Sequence, residues 1–252
     1  MRRLAFLLFA CLITGCVGSR PSPVADGTPG PLAVTYEQVD AGDPSDPEVE
    51  AVIAPYAAQL RATMDEVVAT AAFEITKGGI ESPLGNLCAD AMLAEANRVL
   101  AEDGGAPADF AVGNAGGLRV PLPAGPITVG KVYELMPFEN FLVVQAHTAA
   151  QIDSLAQQLA RAGGEPIAGL SFVLADDRAQ EVRVGGAPLD PARTYRVATH
   201  NYLAYGGGDM PALWEPEART ELPLTLRDAF LDYFRRLGTL DPQLDGRIRR
   251  AD

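Results

Sequence analysis

Apolar residues recur at three- and four-residue intervals in four stretches of the chain, the spacing that lines one side of an α-helix. Over residues 47–67 the series is Val49, Val52, Ile53, Tyr56, Leu60 and Met64, which predicts a helix with that face packed. Ser82 reads as an N-cap with Pro83 at the first helical position, where a missing N–H costs nothing. From there to about residue 100, Leu84, Leu87, Cys88, Ala91 and Met92 form a buried stripe, and Asn86 and Asp90, four apart, share a face beside it. Thr148 can cap a third helix carrying Ile152, Leu155, Ala156 and Leu159 and stopping at Gly163-Gly164. Leu226, Phe230, Phe234 and Leu237 mark a last one over about 225–237, ending at Gly238.

Between these stretches the apolar positions cluster in short runs. Strands are expected near 68–75, over the apolar start of 109–119, at 127–132, 141–147, 170–174, 181–184 and 194–199, with Gly185-Gly186 turning between the last two. Strands and helices mix without strict alternation, and no repeat is evident. The pattern predicts an α+β domain with a mixed or largely antiparallel sheet.

At 252 residues, 48% hydrophobic and 21% charged, the chain can bury one substantial core, and a single domain with extensions is the expected arrangement. Its formal charge of −13, from 33 acidic against 20 basic residues, argues against duplex nucleic acid as a partner, since binding it requires neutralisation of phosphates. The first residues stand apart. Arg2 and Arg3 precede an apolar run over 4–13, too short for a stable membrane span, and Thr14-Gly15-Cys16 follows. Small residues directly before a cysteine resemble the lipobox of bacterial lipoprotein signal peptides, with an ordinary secretory signal as the alternative. In the lipoprotein reading residues 1–15 are removed and Cys16 is lipidated. Residues 16–35, rich in Gly, Pro, Ser and Ala, then form a flexible tether, and 36–252 the folded domain. The protein is expected to be exported and lipid-anchored to the bacterial cell envelope, on its periplasmic or outer-membrane face. Cys88 is left without a disulfide partner and reads as a small buried hydrophobe.

Candidate chemistry is sparse. The chain has only two histidines, His147 and His200, neither in a ligand spacing, so a dinuclear phosphatase centre is not expected. His147 reads as closing a strand, and His200 as doing the same or facing a ligand. No serine lies in a nucleophile elbow and no phosphate-binding loop is present. What remains are turns after strand-like runs that carry glycine, amide, aromatic or carboxylate groups. In 109–119 the turn holds Asn114, Gly116, Gly117 and Arg119, groups suited to receiving a polar ligand.

Taken together and in order, four motifs carry a resemblance: Glu81 with Gly85-Asn86-Leu87 and Asp90-Ala91; Asn114-Ala115-Gly116-Gly117-Leu118-Arg119; Pro137-Phe138-Glu139-Asn140; and Asn201-Tyr202-Leu203-Ala204 before Gly206-Gly207-Gly208-Asp209. They resemble the C-terminal domain of the 5′-nucleotidase and UDP-sugar hydrolase family over roughly 35–240. The resemblance implies a four-layer α/β/β/α domain with mixed sheets that clamps the nucleoside of a nucleotide. By position, Phe138 and Tyr202 would sandwich the base, and Asn140 would bond its edge. Asn114 and the Gly116 backbone would contact ribose or base, Arg119 would face the phosphate, and Asp209 would accept from the ribose hydroxyls. Two departures stand out. The family's second phosphate-side arginine is replaced by Ile80, and a third glycine precedes Asp209, leaving Gly208 or Asp209 for the ribose position. In the family, divalent metals and hydrolysis belong to an N-terminal metallophosphatase domain, whereas only a signal and tether precede Tyr36 here. No cofactor is therefore expected in this chain. The expected partners are a nucleoside or nucleotide, a separately made metallophosphatase, and the membrane through the anchor. The alternative is a non-catalytic binding or scaffolding lipoprotein with a degenerate cleft.

Overall fold

A computed structural model describes residues 45–251; the signal, the tether and Cys16 lie outside the described residues. In chain order the elements are α1 (Pro47–Met64), β1 (Val67–Ala71), α2 (Pro83–Glu102), β2 (Phe110–Val112), β3 (Gly125–Thr128), α3 (Val129–Leu135), β4 (Phe141–Thr148), α4 (Ala149–Arg161), β5 (Ile167–Ala168) and β6 (Leu170–Ala175). They continue with β7 (Arg178–Val184), β8 (Ala187–Pro188), β9 (Thr194–His200), α5 (Asn201–Ala204), β10 (Ala218–Thr225), α6 (Leu226–Leu237), β11 (Thr239–Leu240) and β12 (Ile248–Arg250). Among the described residues these strands form three sheets, ordered β11-β1-β3, β10-β4-β9-β2-β5 and β12-β6-β7-β8. Each combines parallel and antiparallel pairs, so the α+β class with mixed sheets is what the chain adopts.

The helix starts follow from local chemistry. Ser82 accepts a hydrogen bond from the Gly85 amide and starts α2, with Pro83 in its first turn. Thr148 and Gln151 bond each other's backbone in a capping box at α4, and Thr225 accepts from the Asp228 amide at α6. Alternate residues of the five-stranded sheet enter two cores. Leu142, Val144 and Ala198 pack with Leu84, Leu87 and Met92 of α2 and Phe230 and Phe234 of α6. Tyr195 and Val197 pack with Ile152, Leu155 and Leu159 of α4 and with Phe172 of β6. Cys88 is buried in the first of these cores, and burial raises its thiol pKa, leaving it an unreactive apolar group.

Three expectations are corrected. The stripe on α1 is not packed: no residue of this helix is buried, and Val52, Ile53, Tyr56 and Leu60 are all exposed. Periodicity reports that a helix has an apolar face, not what covers it. Residues 127–132 are strand only as far as Thr128, whose hydroxyl accepts from the Lys131 amide and starts α3. Val129, Val132 and Leu135 then recur at three-residue intervals and are buried. Strand β10 has no counterpart among the expected strands, because Arg219, Glu221 and Pro223 break any apolar run. It lies at the edge of its sheet, with an irregular register between Glu221 and Thr225, and both charges and proline are tolerated at such a position.

Candidate functional site

Strands β2 and β9 run parallel, pairing Phe110 with Val197 and Ala111 with Ala198, so their C-terminal ends emerge together. Strand β4 is antiparallel to β9, with Leu142 opposite His200, so the start of β4 reaches the same edge. Ligand clefts in open sheets form outside the carboxyl ends of parallel strands. Three segments meet there: Asn114 and a 3-10 turn over Ala115–Gly117 after β2, Tyr202 in α5 after β9, and Phe138 to Asn140 before β4. Asn114, Gly116, Gly117, Arg119, Phe138, Asn140 and Tyr202 line one cleft of about 390 Å³. Phe138 is 43% and Tyr202 50% exposed, an uncommon state for large aromatic side chains and one that offers ring surface to a ligand. Six residues singled out from the sequence as nucleotide contacts thus share one cleft. Asp209 does not line it and neither does Gly208; Asp209 is exposed on the turn beyond Tyr202. Ile80 lines a neighbouring cavity of about 360 Å³ together with Lys77, Glu81 and Glu165.

Most of the residues that hold the walls are ones the sequence did not point to. Lys77 Nζ donates to the carbonyls of Leu118 (2.6 Å) and Ala115 (3.2 Å), and Glu165 Oε2 accepts from the Ala115 amide at 2.6 Å. Burial raises the Glu165 carboxyl above the usual carboxylate range. Arg119 donates to the Gly116 carbonyl at 3.0 Å, and its guanidinium carbon lies 6.0 Å from the Phe138 ring centroid, at the outer limit of a cation–π contact. The Phe138 turn is fastened from α6. The buried Arg227 pairs with Glu139, donates to the Met136 carbonyl at 3.4 Å and lies 4.1 Å from the Tyr133 ring centroid. Leu226 donates its amide to the Asn140 carbonyl at 2.6 Å, and Asn201 Oδ1 accepts from the Phe141 amide at 3.3 Å. A charged residue directly beside the apolar stripe of α6 was the available sign of Arg227.

Tyr202 is placed by a glycine. The Gly207 amide donates to the Tyr202 carbonyl at 2.8 Å, and a Cβ at Gly207 would stand 2.5 Å from both Cδ2 and Cε2 of the ring. Only a residue without a side chain lets that turn close against the aromatic ring.

Both histidines are buried in the central sheet. His147 lies 3.2 Å from Gln145 Oε1, and burial pushes its pKa down to about 4. His200 is the last residue of β9, lies outside the cleft lining and reaches Asn114 Oδ1 at 3.1 Å; burial lowers its pKa to about 4 as well. Among the described residues no group of three or more His, Cys, Asp or Glu side chains could hold a metal ion. The donor set does not suit a metal centre, and the chemistry these residues offer is stacking, amide hydrogen bonding and one guanidinium.

Residues 61–215 match the family described as 5′-nucleotidase, C-terminal domain. The chain belongs to this family. Among its relatives, the UshA protein of Escherichia coli (strain K12) is 38% identical over 111 residues, 42% of this chain and 20% of that protein. The trifunctional nucleotide phosphoesterase protein YfkN of Bacillus subtilis (strain 168) is 31% identical over 188 residues, 68% of this chain and 12% of that protein. The crystal structure of a 5′-nucleotidase precursor from Thermus thermophilus superposes with a TM-score of 0.67 at 33% identity, covering 83% of this chain and 44% of that one. The chain therefore spans a fifth or less of these two curated relatives and under half of the solved structure. Its α+β fold with three mixed sheets is similar to that of the solved 5′-nucleotidase precursor. The cleft lies at residues 114–202, inside the matched segment.

Proposed function

We propose that the cleft binds the nucleoside part of a nucleotide and that the domain serves nucleotide hydrolysis performed by a separately made metallophosphatase domain. The observation that carries this reading is the convergence of two exposed aromatic rings, Phe138 and Tyr202, with the Asn140 and Asn114 amides and Arg119 in one cleft. In this reading the base stacks between the rings, Asn140 bonds its edge, Asn114 and the Gly116 backbone meet ribose or base, and Arg119 faces the phosphate, where a guanidinium can bind two oxygens at once. Asp209 is proposed for the ribose hydroxyls from the turn behind Tyr202. Divalent metals belong to the partner domain, and the residues here supply binding and orientation only. Cys16 carries the lipid that holds the domain at the cell envelope.

Calorimetric titration with adenosine, AMP and UDP-glucose tests the reading. Base stacking is worth about 1–3 kcal/mol per ring contact, so Phe138→Ala is expected to weaken binding by about five- to a hundred-and-fiftyfold. Binding unchanged in Phe138→Ala would overturn the assignment. Absence of binding to all three ligands would instead favour the scaffolding alternative to which Ile80 and Gly208 point.

A further inference from the structure

His200 ends β9 and Asn114 follows β2, and because the two strands run parallel as neighbours these residues meet at the edge of the sheet. His200 Nε2 lies 3.1 Å from Asn114 Oδ1. His200 is 2% exposed, and the other ring nitrogen, Nδ1, is buried with no hydrogen-bond partner. Met92, Met136, Leu226 and Phe230 join His200 in enclosing a void of only about 10 Å³. In such surroundings an imidazolium would be a buried charge with an unpaired N–H, and burial keeps the ring neutral.

A neutral imidazole has one N–H and one bare nitrogen. A proton on Nδ1 would leave a buried donor without a partner, a worse outcome than a bare lone pair there. The proton therefore belongs on Nε2, which donates to Asn114 Oδ1, and that bond orients the amide. A Cβ at Gly117 would stand 3.0 Å from Oδ1, and one at Gly116 would stand 3.6 Å from Nδ2. Both glycines line the cleft, so what separates the two halves of the amide is that Oδ1 is engaged with His200 while Nδ2 makes no hydrogen bond among the described residues and is the half left for a ligand.

We infer that His200 is a positioning residue that presents the Asn114 side chain to the cleft as a hydrogen-bond donor, so that this wall selects a ligand group offering an acceptor. The inference rests on the nucleoside reading and deepens it. Asparagine can present either half of its amide, and a histidine outside the cleft decides which half. A ligand that placed a donor there would meet another donor and leave both unpaired.

Long-range ¹H–¹⁵N NMR spectra of the labelled full chain at pH 7 read the imidazole tautomer directly. The expected result is a protonated Nε2 and a bare Nδ1, with the Asn114 side-chain NH₂ resonances moving on titration with adenosine. A protonated Nδ1 would overturn the inference, whether or not any variant folds. Affinities of two variants for adenosine form a second arm, since a glutamine amide can donate to Asn114 Oδ1 and leucine cannot. His200→Gln is expected to bind within about threefold of wild type and His200→Leu about tenfold more weakly, with no further loss from His200→Leu in an Asn114→Ala background. Equal losses in the two variants, or additive losses in the double variant, would overturn it. If the wild-type protein bound no nucleoside, the nucleoside reading would fall, and the tautomer spectrum would still decide the role of His200.

Discussion

At the scale of single residues, the cleft depends on side chains whose surroundings leave them little choice of conformation. Gly207 is the sharpest case, because any Cβ there meets the Tyr202 ring. Gly207→Ala is expected to dislodge the ring and to weaken adenosine binding as much as Tyr202→Ala does, within about threefold, read by calorimetry; undiminished binding would show that the ring position is not needed. The histidines make a separate prediction about acid. Each titrates near 6.5 when unfolded and near 4 in the fold, because burial disfavours the imidazolium. Between those values the unfolded chain binds more protons than the folded one. Their stabilising effect is therefore complete above pH 6.5 and is lost as the pH falls toward 4, by about 3 kcal/mol per histidine. Urea unfolding between pH 7 and 4 checks this, and His147→Gln is expected to lower the slope of stability against pH over that interval, whatever its effect on absolute stability.

At the scale of elements, helices α1 and α2 have equally regular apolar spacing and opposite fates. Leu84 of α2 is fully buried, while Ile53 of α1 is 49% exposed. Leu84→Ala is expected to cost about 2–5 kcal/mol and Ile53→Ser under about 0.5 kcal/mol, measured by chemical denaturation. A large loss from Ile53→Ser would mean that the α1 face is covered in solution. The same comparison shows how far the sequence could be read. Caps at Ser82 and Thr148 and the stripes on α2, α4 and α6 were legible because helix signals are local, a matter of which atoms lie three and four residues apart. Strand β10 was not legible, because its place beside β4 is set by pairing with residues far earlier in the chain and owes little to its own composition.

At the scale of the molecule, a parallel pair within a mixed sheet brings residues 114, 138 and 202 to one edge, and α6 braces that edge through Arg227. The proposed lipid anchor belongs to this scale as well. Cys16→Ser is expected to move the exported protein from the detergent phase to the aqueous phase in detergent partitioning, because one acylated cysteine is what would hold it at a membrane. Partitioning unaltered by the substitution would remove the lipoprotein reading.

By itself the sequence determined the α+β class, four helices, two of them with their N-caps, and the turns that carry glycine, amide and aromatic groups, since such residues declare their chemistry wherever they lie. It also carried the family, through four motifs in fixed order. Only the tertiary structure decided that Asn114, Gly116, Arg119, Phe138, Asn140 and Tyr202 share one cleft while Asp209 lies outside its lining. It alone brought in Lys77, Glu165, Arg227 and His200 as the groups that hold the walls. The physical reason is distance along the chain: the hydrogen bond from Lys77 to Leu118 joins residues 41 apart, and that from His200 to Asn114 joins residues 86 apart. No local pattern encodes which charged or polar side chain will be carried to which carbonyl or amide, because strand order and register make that choice.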